Sequence, residues 1–175
     1  MNLSVGEAAQ RLEERGVLRR DPDDRSLDAA EYVGSVLRRD LPTDLVDFYR
    51  ERIASVCEFS AVIPHWKQQR GWRPPREFLT CLLHADAAPL FGDGCGNLFG
   101  LDLATPSQHP AVYFFDRESE FAKPEYAAGS SIARFLLLLA DTDRALRDGW
   151  PAKWQLAIDP DLETCPRAPP IWDSQ

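Results

Sequence analysis

Apolar residues recur at helical spacing most clearly in residues 129–146, GSSIARFLLLLADTDRAL. The pattern predicts a helix whose cap is Ser130 or Ser131. A helix with so wide an apolar face has to be buried, and a β-sheet is its natural partner. The residues predicted to lie deepest are Ile132, Phe135, Leu136 and Leu139, with Leu137 and Leu138 widening the buried arc.

Three further helices are predicted before residue 54. Ser4 and Glu7 form an S-x-x-E capping box for the first helix, and Gly16 is placed to end it. The second is predicted from Ser26 to about residue 39, and the third begins at Pro42 or Thr43. The apolar face of the third helix is predicted to contain Leu45, Phe48, Tyr49 and Ile53.

The middle of the chain changes to a β pattern. APLFGD (88–93), NLFGLDL (97–103) and AVYFFD (111–116) are typical of strands separated by turns. FLTCLLHA (78–85) is compatible with a strand or a short helix. Helices first, then antiparallel strands, then one long helix is the order of an α+β protein, and the alternating βαβ units of a doubly wound sheet are missing from the pattern.

The stretch LFGDGCGNLFGLDL (90–103) carries glycine at every second position, at Gly92, Gly94 and Gly96. A dinucleotide-binding loop would lead into a helix, whereas this stretch leads into a second strand. An EF-hand loop starting at Asp93 would have Cys95 at its third position and Ala104 at its twelfth. We therefore interpret Gly92, Asp93, Gly94 and Gly96 as a structural hairpin turn, because glycine accepts positive φ without steric cost.

Charge narrows the range of partners. The 175-residue chain has a formal net charge of −8 and a pI near 4.9. This balance disfavours a general attraction to nucleic acid or to an anionic membrane. An acidic surface suits a basic partner, although many soluble proteins are acidic without one.

The N-terminal sequence and the cysteines predict a cytoplasmic protein. MNLSVGEAAQRLEERG has no basic start followed by an apolar stretch, so no secretory signal is predicted. Cys57, Cys81, Cys95 and Cys165 are widely scattered, which favours reduced thiols over a zinc site or a redox pair.

The sequence does not predict an enzyme. Neither G-x-S-x-G nor H-E-x-x-H occurs in it. His65, His84 and His109 lie too far apart along the chain to mark a local metal site. We therefore predict no catalytic residue, cofactor or metal ligand, while a site assembled by folding from distant residues stays open as an alternative.

Four segments in order resemble the SUKH superfamily, which includes the yeast cell-wall-assembly regulator domain and many bacterial immunity proteins. The segments are LPTDLVDFY, LFGDGCGNLFGLDL, VYFFDRES and GSSIARFLLLLAD. The matching elements are Leu41-Pro42, the turn Asp93-Gly94-x-Gly96, the strand end Leu101-Asp102 and the helix entry Ser130-Ser131.

The length of the chain predicts one domain over residues 1–175, and the resemblance covers its core at about 40–141. Residues 1–39 form a helical N-terminal extension, and residues 142–175 form a Trp/Pro-rich C-terminal segment expected to lie along the body. The resemblance implies a bent antiparallel sheet with helices packed against it. It also implies an immunity protein that binds and blocks a cognate toxin. A basic nuclease-type domain would suit the acidic chain as the toxin. A non-catalytic regulatory or scaffold role is the alternative.

Two segments are candidates for contacting a partner. The basic stretch HWKQQRGWRPPR (65–76) places Trp66, Arg70 and Trp72 close together, and Trp and Arg are enriched at binding hot spots. Its alternative is a loop folded over the core with its indoles buried. The second segment is an acidic rim made by Asp116, Glu118 and Glu120, whose alternative is ordinary solvent exposure.

Overall fold

A computed structural model describes residues 3–21, 26–62 and 84–173. Within these ranges, seven antiparallel strands form one sheet in which the strand order follows the sequence, and four α-helices accompany it, which confirms the predicted α+β class. The strands are β1 (Leu18–Arg20), β2 (Ile53–Val56), β3 (Phe59–Ala61), β4 (Ala87–Gly92), β5 (Leu98–Asp102), β6 (Val112–Phe115) and β7 (Tyr126–Gly129). The helices are α1 (Val5–Glu14), α2 (Ser26–Leu37), α3 (Thr43–Arg50) and α4 (Ile132–Asp148). None of the described helices has the length and apolar character needed to cross a bilayer.

Local signals set the ends of α1 and α4. Ser4 caps α1, and its hydroxyl accepts from the amide of Glu7 while the Glu7 carboxylate accepts from the Ser4 amide. Ser131 caps α4 by accepting a hydrogen bond from the amide of Arg134. Gly149 ends α4 at a φ of 62°, a left-handed conformation that glycine adopts without a steric penalty.

The prediction that Ile53 belongs to the third helix is wrong. Helix α3 ends at Arg50, and Arg52 adopts a φ of 53°, which turns the backbone out of the helix. Ile53 then opens β2, where it is buried. The apolar spacing continued across the boundary because one core takes residues from both elements.

The three predicted strands are present as β4, β5 and β6, and four more strands were not predicted. Strands β1, β2, β3 and β7 contain three or four residues each, and polar or small side chains interrupt their apolar positions, whereas the equally short β6 is an unbroken run of large apolar residues. Each of them becomes a strand by pairing with a neighbour, as Leu18 does with Val56 in β1 and β2.

One face of the sheet packs against the helices through a connected set of aromatic rings. Phe91 and Phe99 on the sheet contact Phe135 of α4, with ring centroids 5.8 and 5.0 Å apart. Phe48 of α3 meets Phe91 at 5.6 Å, so a single aromatic cluster ties α3, the sheet and α4 together.

The C-terminal segment lies along the outer strand and the second face of the sheet. Pro170 forms a parallel bridge with Ala127 of β7. The buried carboxylate of Asp159 accepts two hydrogen bonds of 2.6 Å from Ser130, one from the amide and one from the hydroxyl. Arg167 pairs with the buried Asp102 at 2.8 Å. Polar contacts therefore fix this segment in addition to its apolar side chains.

Candidate functional site

The connections β2–β3, β4–β5 and β6–β7 meet at one edge of the sheet, because neighbouring strands run antiparallel. The pairing register fixes this arrangement, since Ser60 near the start of β3 lies opposite Gly92 at the end of β4. We call this edge, residues 57–58, 93–97 and 116–125, the turn edge.

The glycine-rich segment forms the β4–β5 turn, and Asp93 organises it. One carboxylate oxygen of Asp93 accepts from the amides of Cys95 and Asn97 at 2.9 and 3.1 Å, and the other accepts from the Asn97 side chain at 2.7 Å. Gly94 and Gly96 have φ values of 77° and 100°. The amides of Asp93, Cys95 and Asn97 are thus used for hydrogen bonds within the turn itself.

The β6–β7 connection begins with a tight loop that is closed by its own backbone. The carbonyl of Asp116 accepts from the amide of Phe121 at 3.1 Å, and the Asp116 carboxylate accepts from the amide of Glu118 at 2.8 Å. Phe121 is buried and anchors the loop, whereas Glu118 and Glu120 are exposed. The two glutamates are therefore presented to solvent on an ordered backbone.

The turn and this loop form one surface. The amide of Arg117 donates to the side-chain oxygen of Asn97 at 3.0 Å. The Arg117 side chain crosses Gly96 so closely that a Cβ at Gly96 would lie 2.9 Å from its Cδ. Glycine at this position therefore allows the two connections to be in contact.

Acidic side chains dominate the turn edge. Two basic residues, Arg117 and Lys123, stand among six acidic ones. The acidic residues are Glu58, Asp93, Asp116, Glu118, Glu120 and Glu125. Because several of them are exposed on neighbouring loops, their fields add toward an approaching cation.

An aromatic recess opens beside these charges, between the sheet and α4. Its volume is about 270 Å³. Rings from β3, β5, β6 and β7 line it on the sheet side, and side chains of α4 and of the C-terminal segment complete it. The lining residues used below are Phe59, Asp93, Phe114, Tyr126 and Ile171.

Two features of the recess suit a side chain from another molecule. The ring of Tyr126 stacks on Phe114 at 4.7 Å, and burial together with the nearby charge of Asp93 raises the pKa of the Tyr126 hydroxyl. Among the described residues, Ile171 is one of two large hydrophobic side chains that are exposed, at 42%. The recess is therefore apolar on its walls, with a carboxylate at Asp93.

The residues predicted to contact a partner differ in where they lie in the structure. Trp66, Arg70 and Trp72 lie outside the described residues. Glu118 and Glu120 share the exposed acidic rim, while Asp116 is half-buried and its carboxylate supports the loop.

Sequence reasoning missed several residues of the surface, namely Glu58, Phe59, Tyr126 and Ile171. Glu58 and Phe59 belong to the β2–β3 hairpin, whose short strands IASV and FSA contain polar and small residues and show no strand pattern. Tyr126 and Ile171 reach the recess through long-range packing. The one local signal for them was the concentration of aromatic residues on the neighbouring strands.

Within the described ranges, no group of three or more His, Cys, Asp or Glu side chains could hold a metal ion. Burial raises the pKa of the Cys165 thiol to about 12, with the carboxylates of Asp159, Asp161 and Asp102 adding to the effect, so Cys165 stays a neutral thiol at physiological pH.

Comparison of the chain with protein-family models, with curated proteins and with solved structures found no match in any of the three.

Proposed function

We propose that this protein is a non-catalytic binding module that recognises a basic protein toxin and neutralises it in the bacterial cytoplasm, as an immunity protein does. The observation that carries the proposal is the turn edge, where ordered acidic loops lie beside an aromatic recess. The resemblance of the chain to the SUKH superfamily supports the antidote role.

The acidic loops suit recognition of a cationic surface. Glu118 and Glu120 are exposed, and the net charge of the whole chain is −8. Opposed charges on two partners accelerate their association and disfavour wrong partners, and this contribution weakens as salt screens it. A toxin that acts on nucleic acid needs a basic surface, so an acidic antidote can cover that surface directly.

The recess supplies the apolar anchor that charge alone does not provide. Protein interfaces obtain most of their affinity from a few side chains buried in well-packed pockets. A lysine or arginine of the toxin fits both parts of this site, because its aliphatic stem can lie on Phe114 and Tyr126 while its cation meets Asp93.

The test uses the protein encoded by the neighbouring gene as the candidate toxin. The tagged chain should capture it, and co-expression should restore growth of cells that produce it. The double variant E118K/E120K should weaken binding roughly tenfold at low salt, and the difference should shrink at high salt. The matched control E31K/D161K makes the same change in net charge at two exposed positions outside the turn edge, and should stay close to the parent.

A second pair of variants tests the recess separately from the charge. Ile171→Asp places a charge on the recess wall, and Leu146→Asp makes the same change at a side chain that is 78% exposed on α4. We expect Ile171→Asp to slow growth rescue and raise the dissociation constant, and Leu146→Asp to do neither. Capture of the toxin with equal affinity by E118K/E120K, Ile171→Asp and the parent would remove the turn edge from the proposal. Failure to capture the neighbouring protein or to restore growth would overturn the immunity role.

A further inference from the structure

A polar cleft lies at the opposite edge of the sheet from the turn edge. The β5–β6 connection, the start of α4 and the C-terminal segment enclose it, with a volume of about 290 Å³. This volume lies just below the range of drug-sized ligand sites, which begins near 300 Å³, so the cleft suits a small ligand. The lining residues that carry the argument are Asp102, Thr105, His109, Ser131, Arg134 and Cys165.

The side chain of Asp102 is only 1% exposed, and hydrogen bonds reach one of its two carboxylate oxygens. Its Oδ1 accepts from Arg167 at 2.8 Å and from the amide of Ala104 at 3.0 Å. Its Oδ2 is buried and has no hydrogen-bond partner among the described residues. A buried carboxylate oxygen without a donor is costly, and Asp102 lines the cleft, so a ligand donor that reaches Oδ2 from the cleft would remove this cost.

The part of the cleft wall at the start of α4 presents hydrogen-bond donors, in contrast to the acceptor at Asp102. Helix α4 begins there, and the first N–H groups of a helix have no partner within the helix. Within the part of the chain that the structure describes, the Ser131 hydroxyl accepts a hydrogen bond from the amide of Arg134 alone, and the first turn of α4 contains no acidic residue. Arg134 adds a guanidinium whose Nη1 donates to the carbonyl of Ile158 at 2.6 Å. These groups favour a carboxylate, as helix N-termini generally do.

The remaining charged groups near the cleft already have partners or face solvent. Asp159 directs both carboxylate oxygens at Ser130. His109 contacts Asp44 at 2.9 Å, and Asp161 is exposed. Cys165 is a neutral thiol because burial raises its pKa. The cleft therefore offers one acceptor at Asp102 and one anion-favouring end at Ser131 and Arg134.

We infer that this cleft binds a small zwitterion of the free amino-acid class, with its ammonium group on Asp102 Oδ2 and its carboxylate at Ser131 and Arg134. Such a ligand satisfies the unpaired oxygen and the start of the helix together. The inference is independent of the toxin-binding proposal, since the two sites lie at opposite edges of the sheet.

The test titrates the isotope-labelled full chain with the twenty common L-amino acids, first in mixtures and then singly, and follows the backbone amide signals by NMR. At least one amino acid should shift the signals of Thr105, Ser131 and Arg134 in a saturable manner. Its N-acetyl derivative, which lacks the ammonium group, and acetate alone should bind at least about tenfold more weakly, since a charge-assisted contact at Asp102 is lost.

Variants locate the binding. Thr105→Phe fills the cleft, while Gln108→Phe places the same ring at an exposed position of the same connection outside it. Thr105→Phe should abolish the titration and Gln108→Phe should leave it unchanged. Asp102→Asn, where it folds, should weaken binding at least about tenfold. The inference is overturned when none of the twenty amino acids shifts these signals, or when the shifts persist in Thr105→Phe.

Discussion

Replacing Gly129 by alanine tests how α4 sits on the sheet. Gly129 ends β7 and is buried. A Cβ added there would lie 2.6 Å from the Cβ of Phe135, 2.8 Å from its Cα and 2.9 Å from its backbone nitrogen. These atoms belong to the helix itself or are fixed to it, so rotating a side chain cannot relieve the clash. The helix as a whole has to move.

The expected cost follows from these distances. Ordinary contact begins at 3.4 Å, so the relief requires a displacement of roughly half an ångström or more in a close-packed interior. Overpacking a core costs about 1–3 kcal/mol, and this site belongs at the upper end. Alanine also restricts the unfolded chain more than glycine does, which adds about 0.4–1 kcal/mol to the free energy of unfolding. The net loss is about 2 kcal/mol, which lowers Tm by about 4–8 °C in a chain of this size.

Alanine variants of two other strand glycines, Gly92 and Gly100, serve as comparisons for the loss of stability. At Gly92 the nearest atom to an added Cβ is 3.6 Å away, and at Gly100 the ring of Phe115 is 3.1 Å away. Urea unfolding monitored by tryptophan fluorescence should therefore find Gly92→Ala the most stable variant, Gly100→Ala intermediate and Gly129→Ala the least stable. If Gly129→Ala unfolds at the same urea concentration as Gly92→Ala, the close seating of α4 on β7 is wrong.

Two further predictions concern titratable groups. Hydrogen bonds from the Ser4 amide and hydroxyl lower the pKa of Glu7. The ionised carboxylate therefore stabilises the fold at pH values above its ordinary pKa of 4.5, and this stabilisation is lost as the pH falls through the lower pKa of the folded state. Glu7→Gln should make Tm less dependent on pH below 4.5, and identical pH profiles for variant and parent would contradict the capping-box geometry. Because burial raises the pKa of Cys165 to about 12, iodoacetamide at pH 8 should modify the exposed Cys95 well before Cys165, as measured by peptide mass spectrometry. Faster labelling of Cys165 would mean that the C-terminal segment does not cover it.

The sequence by itself determined the elements that carry strong local signals. The capping box at Ser4 and Glu7 and the apolar arc of α4 depend on a few neighbouring residues, and both are present as predicted. The cap of α4 was predicted at Ser130 or Ser131, and the structure places it at Ser131. The same holds for β4, β5 and β6, which contain runs of apolar side chains between turn residues. Local propensity and burial point the same way in these elements, so a short window of sequence is sufficient.

Only the tertiary structure decided the remaining strands and both candidate sites. Ile53 satisfies a helical spacing, yet a change of backbone direction at Arg52 assigns it to β2, and β7 exists because β6 and Pro170 flank it. The aromatic recess joins Phe59 to Ile171, and the polar cleft joins Asp102 to Arg134. Residues so far apart in the chain become neighbours only through strand pairing and helix docking, and no local pattern encodes that contact.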